Sequence, residues 1–237
     1  MRAGLISKVL SLITSLFLNL TEDLACKYAM EVNKFLLFFG CIQHRNLCNV
    51  TRICAGNVSD VTFSNINIST RYYDPSWWGR AEPIYITTCP RDSSAKEGSI
   101  SNLLFVNITI DSENGVFLSG SPNGLLSDIK FKNMNLTFRR WSNYSAGLVD
   151  YRPGCQGLVN HRATSGIIME HVNGFRVENV DLKWSDDDDV NAAWNVPLEF
   201  RPSTVNNVSF VGFTSGLYTK LFESDYVMVG ENNIAFA

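Results

Sequence analysis

The sequence predicts an all-β protein built as a parallel β-helix, a solenoid of stacked strands, and three observations support this prediction. Apolar and polar residues alternate at period two in five segments, which is typical of strands buried on one face. Turn-forming residues and asparagines recur at the same places in these segments. The insertions between the segments differ in length, as expected of a solenoid that carries its loops on the surface.

The five segments align from their first apolar residue. They begin at Val58, Ile100, Leu126, Val172 and Val205. Two residues later each has a turn-former, namely Asp60, Asn102, Asp128, Gly174 and Asn207. The inner apolar run ends in an asparagine in four segments, at Asn65, Asn107, Asn133 and Asn179. The spacing that a leucine-rich repeat requires is absent, and a β-sandwich is the alternative architecture, although its strands need not keep this register.

Stacking explains why these positions recur. No single segment can bury its apolar residues alone, so the segments stack at the inter-strand spacing of about 4.8 Å. Stacking predicts one internal column containing Phe63, Phe105, Phe131, Val177 and Phe210. It predicts a second internal column, a ladder of hydrogen-bonded asparagine amides. Asn107 would lie in this inner ladder, so we expect it to be unmodified although it begins an Asn-x-Ser/Thr sequon.

The N-terminal residues 1–55 show no repeat. Basic residues and then an apolar run from Val9 to Leu20 resemble a secretory signal, with an amphipathic helix as the alternative. The run is too short and too interrupted to predict a membrane span. The spacing of Cys41, His44, Cys48 and Cys54 fits a zinc knuckle, but disulfides or thiols without a role explain it better, so we expect no metal or other cofactor.

Composition excludes some classes of protein. The chain has 237 residues, of which 45% are hydrophobic, so it can bury a core and is not intrinsically disordered. With a net charge of −3, the chain lacks the excess of basic residues expected of a nucleic-acid-binding protein.

We expect a monomer with an N-terminal segment at 1–55, β-helix coils at 56–219 and a tail at 220–237.

Several stretches resemble plant glycoside hydrolase family 28, the polygalacturonase-like group. They are Gly56–Ile66, Trp77-Trp78-Gly79, Glu82–Ile86, Gly154–Gly157, Gly166–Glu170 and Trp194–Leu198. The resemblance covers roughly residues 56–219. It implies a right-handed parallel β-helix, secretion to the cell wall, and inverting hydrolysis of pectic glycosidic bonds by aspartates.

None of the family's catalytic motifs is found before Asn57, where the resemblance would place them. They comprise an Asn-Thr-Asp segment, an Asp-Asp pair, Gly-His-Gly and Arg-Ile-Lys, all upstream of the coils matched here. Thr51-Arg52-Ile53-Cys54 lies where Arg-Ile-Lys would fall, yet it lacks the lysine. The resemblance therefore implies a truncated chain that keeps the C-terminal coils of the scaffold without the catalytic residues, which stay unknown.

Residues Arg71 to Arg80 form the best candidate binding site. The candidate contacts are Arg71, Tyr73, Trp77, Trp78 and Arg80. Aromatic faces stack on sugar rings and arginine pairs with carboxylates in a two-pronged geometry, and an acidic pectic polysaccharide offers both partners. The alternative is that the tryptophan pair caps the hydrophobic stack.

Other candidates have ordinary structural explanations. Asp186–Asp189 could hold calcium, but a solvated acidic loop explains it better. Arg152, His161 and Arg162 are best explained as surface residues. Cys89 and Cys155 could form a disulfide. Sequons occur at Asn19, Asn49, Asn57, Asn67, Asn107, Asn135, Asn143 and Asn207, and Asn143 is the best glycosylation candidate because its context is loop-like.

Two functions follow as hypotheses. The first is a polygalacturonase-like glycoside hydrolase homologue of carbohydrate and cell-wall metabolism, inactive in this truncated form. The second is a β-helix that binds acidic polysaccharide and performs no chemistry. A third possibility is an incomplete gene product that does not fold, because half a solenoid exposes an open stack end.

Overall fold

The computed structural model describes residues 57–72, 79–90, 97–151, 157–160, 163–184, 194–200, 204–215 and 234–236. The signal-like run, the candidate zinc ligands, and all but residues 234–236 of the expected tail lie outside these residues. Within them the protein is all-β, and no helix is long and apolar enough to cross a membrane. The strands are β1 (Asn57–Thr70), β2 (Tyr85–Thr87), β3 (Ser99–Ser112), β4 (Val116–Ser119), β5 (Leu126–Phe138), β6 (Leu148–Asp150), β7 (Leu158–Asn160), β8 (Ile167–Glu170), β9 (Val172–Trp184), β10 (Leu198–Phe200), β11 (Val205–Ser215) and β12 (Ile234–Phe236).

The long strands form one parallel sheet in the order β1-β3-β5-β9-β11-β12. The predicted alignment of the five segments is confirmed, because their first apolar residues pair across neighbouring strands. The short strands β10-β8-β4-β2 form a second parallel sheet. The strands β6 and β7 pair as an antiparallel hairpin.

The hydrophobic core contains residues from both parallel sheets. The predicted Phe63–Phe105–Phe131–Val177–Phe210 column is confirmed by the register and by near-complete burial. The rings of Phe63 and Phe105 stack with centroids 4.8 Å apart, and Phe131 meets Phe105 edge to face. A smaller cluster of Tyr85, Phe117, Val149, Tyr151 and Ile168 joins the second sheet to β6 and the residue after it.

Two columns of residues with positive φ bend every long strand. The first contains Asp60, Asn102, Asp128, Gly174 and Asn207, and the second contains Asn65, Asn107, Asn133, Asn179 and Gly212. Aspartate, asparagine and glycine tolerate this left-handed conformation better than other residues. Each bend uses one residue, so the spacing between inward-facing apolar positions is three residues across the bend instead of two. This requirement explains the turn-formers that recur in the sequence.

The asparagine ladder exists, but its predicted internal position is wrong. Asn107 donates to Asn65 at 3.2 Å, Asn133 donates to Asn107 at 3.2 Å, and Asn179 donates to Asn133 at 3.3 Å. All four side chains are exposed, because the bend turns each of them away from the core. Burial therefore does not protect Asn107 from modification.

Candidate functional site

Three loops meet at the edge of the long sheet where β1, β3 and β5 end. Ser112, the last residue of β3, pairs in register with Thr70, the last residue of β1, and with Phe138, the last residue of β5. The residues that follow are therefore neighbours in space, although they are far apart in sequence. The predicted binding segment begins in the first of these loops, at Arg71.

The Glu113 carboxylate connects the three loops. The side chain is fully buried at the end of β3. Its Oε2 accepts a hydrogen bond from the backbone N–H of Tyr72 at 2.6 Å. Its Oε1 accepts from the backbone N–H groups of Trp141 and Ser142 at 2.7 and 2.6 Å. Because one side chain accepts hydrogen bonds from both loops, Glu113 fixes the loops after β1 and β5 against each other.

The loop after β5 presents two exposed aromatic rings. Trp141 is 40% exposed and Tyr144 is 41% exposed. The Tyr144 ring packs edge-on against Tyr72, with centroids 4.0 Å apart. The guanidinium carbon of Arg139 lies 4.5 Å from the centroid of the Trp141 ring, within the range of a cation–π contact. Together with Arg71, these residues define what we call the aromatic–arginine surface: Arg71, Arg139, Trp141 and Tyr144.

Among the described residues around this surface, arginines outnumber carboxylates by one. Arg139 forms a two-pronged ion pair with Asp111, with Nε donating to Oδ1 at 2.9 Å. Arg71 is exposed, and no carboxylate among the described residues pairs with it. Partial burial lowers the pKa of Arg140, although the charge of Glu113 opposes this shift. Within the described residues of these loops and of the strand end, the arginines are Arg71, Arg139 and Arg140, and the carboxylates are Asp111 and Glu113.

Arg80, the last residue of the predicted binding segment, lies beneath the surface. It is only 5% exposed, and its Nη1 donates to the Gly79 carbonyl at 2.8 Å. The same nitrogen is 3.7 Å from Oδ2 of buried Asp150, and the guanidinium carbon lies 4.9 Å from the centroid of the Tyr72 ring. Because Tyr72 packs against Tyr144, Arg80 supports the surface from inside.

A second buried carboxylate lies beside Arg80. Oε2 of Glu82 accepts a hydrogen bond from the Arg80 backbone N–H at 2.5 Å, and no hydrogen bond reaches its Oε1 from the described residues. Burial raises the pKa of Glu82 to about 7, and the nearby charge of Asp150 adds to the effect. Burial also raises the pKa of Tyr85. Glu82 therefore changes its charge near neutral pH inside the protein, away from solvent.

The structure brings together part of the predicted site. Arg71 and Asn143 are exposed in neighbouring loops, and Asn143 lies between Trp141 and Tyr144 in the chain. Tyr73, Trp77 and Trp78 lie outside the described residues, as do Asp186–Asp189, Arg152, His161 and Arg162.

The described part of the chain has no group of His, Cys, Asp and Glu suited to a metal ion. Cys89 forms a disulfide, and its predicted partner Cys155 also lies outside the described residues.

The sequence interpretation missed Arg139, Trp141 and Tyr144. A signal was available, because the repeat register places the residues that follow the first three segments at the same end of the sheet. No local motif marks the role of Glu113.

No family model, curated protein or solved structure matches this chain.

Proposed function

We propose that this chain binds acidic polysaccharide of the pectic type through the aromatic–arginine surface. The observation that supports this function best is the arginine held over an exposed tryptophan beside a second exposed ring. A flat indole face offers apolar area to a sugar ring, and its edge leaves room for polar contacts. The exposed guanidinium of Arg71, with which no carboxylate among the described residues pairs, is the group that would hold a uronic carboxylate.

The proposed scaffold is a right-handed parallel β-helix of the polygalacturonase-like group. The register of five long parallel strands, the second sheet of short strands between them in sequence, and the external asparagine ladder support this architecture. Parallel strands of one sheet are joined by right-handed connections in almost all proteins, which supports the handedness. The non-catalytic function is preferred to hydrolysis because the exposed groups are suited to binding, whereas Glu82 and Asp150 are buried.

The proposed location is the cell wall, reached by secretion. The Cys89 disulfide supports an oxidising compartment, because disulfides are rare in the cytosol. The signal-like start of the chain and its sequons are in keeping with the same route.

Binding to polygalacturonate and release of reducing ends test the proposal together. We expect the full chain to bind polygalacturonate without releasing reducing ends, and Trp141→Ala to weaken binding about tenfold. Val211→Ala is the matched control, because Val211 is also exposed but belongs to β11. Equal affinity of Trp141→Ala and the wild type would contradict the proposed surface.

Charge is tested separately from stacking. We expect Arg71→Gln to weaken binding to polygalacturonate and to leave any binding to fully methyl-esterified pectin unchanged, since the ester removes the carboxylate. We expect salt to weaken binding to the acidic polymer, because exposed charges are screened. Release of reducing ends that is lost when a carboxylate is removed would support the hydrolase hypothesis instead.

A further inference from the structure

Asn143 occupies an unusual place among the sequons of the described residues. It is exposed in the loop after β5, and its sequence neighbours on the aromatic–arginine surface are Trp141 and Tyr144. The sequon is completed by Ser145, which is also exposed. Glycosylated asparagines of secreted proteins lie in surface loops of this kind.

The other described sequons lie on long strands. Asn107 and Asn207 donate their amide hydrogens to neighbouring asparagines, at 3.2 and 2.7 Å. The side-chain oxygen of Asn57 accepts from the Ser99 backbone N–H at 3.3 Å. Asn67 and Asn135 are exposed on β1 and β5 before those strands reach their final residues. The Asn143 amide makes no hydrogen bond within the described part of the chain, so its nitrogen is available.

A glycan on Asn143 would be a sugar tethered beside two exposed aromatic rings. Its first residues would meet the same rings that the proposed function assigns to a polysaccharide. A short tether gives an effective concentration in the millimolar range, which competes with a polymer that binds weakly. The glycan would also exclude the polymer by its bulk.

We propose that Asn143 is an N-glycosylation site whose glycan closes the aromatic–arginine surface to polysaccharide. This inference rests on the proposed function and adds a regulatory step to it: the unmodified protein binds polysaccharide more tightly than the modified protein does. Because the tether is covalent, the fraction of open surface is set when the protein is made and not by the concentration of polymer.

The test compares the full chain secreted from insect cells with three related samples. They are the secreted Ser145→Ala variant, the secreted Ser59→Ala variant, and wild type made without glycans in bacteria. Ser145→Ala removes the sequon at Asn143 and keeps both aromatic rings. Ser59→Ala is the matched control, because it removes the sequon at Asn57 by the same change near the opposite end of β1. Peptide mass mapping reports occupancy, and a polygalacturonate affinity assay reports binding.

We expect a glycan on Asn143 in the secreted wild type. We expect secreted Ser145→Ala and bacterial wild type to bind about tenfold more tightly than secreted wild type and Ser59→Ala. An unmodified Asn143 in the secreted protein overturns the inference, and so does equal binding by secreted wild type and Ser145→Ala. If bacterial wild type binds no polygalacturonate, the proposed function fails and this inference fails with it. If it binds but occupancy has no effect, only this inference fails.

Discussion

The long sheet and the loops at its edge are organised by different kinds of contact. In the sheet, each residue repeats the environment of its partner on the next strand, so Phe105 sits between Phe63 and Phe131. In the loops, contacts are made once and join distant parts of the chain, as Glu113 joins Tyr72 to Trp141. The sheet distributes its stability over a repeated pattern, whereas the loop cluster depends on single residues.

This difference separates stability from function. The repeated positions face the core or form ladders along the strands, and they offer little that distinguishes one ligand from another. The loops carry the exposed rings and Arg71, with which no carboxylate among the described residues pairs. Changes in the sheet should therefore alter the free energy of unfolding, and changes in the loops should alter binding with smaller effects on stability.

The strongest test of this contrast is a pair of aromatic truncations. Phe131 is fully buried between Phe105 and Phe175, with centroid distances of 5.2 and 5.0 Å. We expect Phe131→Ala to lower the free energy of unfolding by about 4 kcal/mol, because it leaves a cavity in the stack. Tyr144→Ala should cost about 1 kcal/mol and instead weaken polygalacturonate binding. Urea unfolding and the affinity assay measure both variants, and equal losses of stability would contradict the contrast.

The buried Glu82 makes stability depend on pH. The pKa of Glu82 is about 7 in the folded protein, whereas a glutamate in water, as in the unfolded chain, has a pKa near 4.5. Between these values the folded state holds a proton that the unfolded state has released, so the free energy of unfolding falls as pH rises. The full change is about 3 kcal/mol and is complete above pH 7.

Glu82→Gln provides the control for this titration. The variant removes the ionisable group, so its stability should lack the fall between pH 4.5 and 7. Other groups, such as Asp181 with its lowered pKa, titrate in both proteins and cancel in the difference. Urea unfolding at several pH values gives the curves. Parallel curves for the two proteins would show that Glu82 is not the group responsible.

Sequence could predict the sheet but not the loop cluster, for a physical reason. The period-two pattern and the recurring turn-formers describe local conformation and one repeated packing rule, so strands and register follow from them. The direction of the asparagine side chains was missed, because alternation alone cannot show that a residue with positive φ shifts the phase. The three backbone hydrogen bonds of Glu113 come from residues 28, 29 and 41 positions away, and no local pattern encodes them.

Glu113 tests whether the loops depend on one residue. Glu113→Gln keeps the size of the side chain but places an amide N–H where an acceptor is needed by backbone N–H groups. We expect a loss of about 2 kcal/mol in the free energy of unfolding, because a buried donor is left unsatisfied. We also expect weaker polygalacturonate binding, since the loops after β1 and β5 lose their common anchor. Binding that stays at the wild-type level would show that the aromatic–arginine surface is held by other contacts.

Changes in the asparagine ladder should have the smallest effect on the free energy of unfolding. Asn133 has φ of 52° and links Asn107 to Asn179 through two hydrogen bonds. Asn133→Gly removes the two ladder hydrogen bonds but still adopts the left-handed backbone conformation easily. Asn133→Ala removes the same hydrogen bonds and also disfavours that conformation. We expect Asn133→Ala to lose about 1 kcal/mol more in the free energy of unfolding than Asn133→Gly does, with polygalacturonate binding unchanged in both. Thermal and urea unfolding measure the order of stability of the wild type and the two variants. Equal free energies of unfolding for Asn133→Ala and Asn133→Gly would mean that the hydrogen bonds, and not the bend, select asparagine at this position.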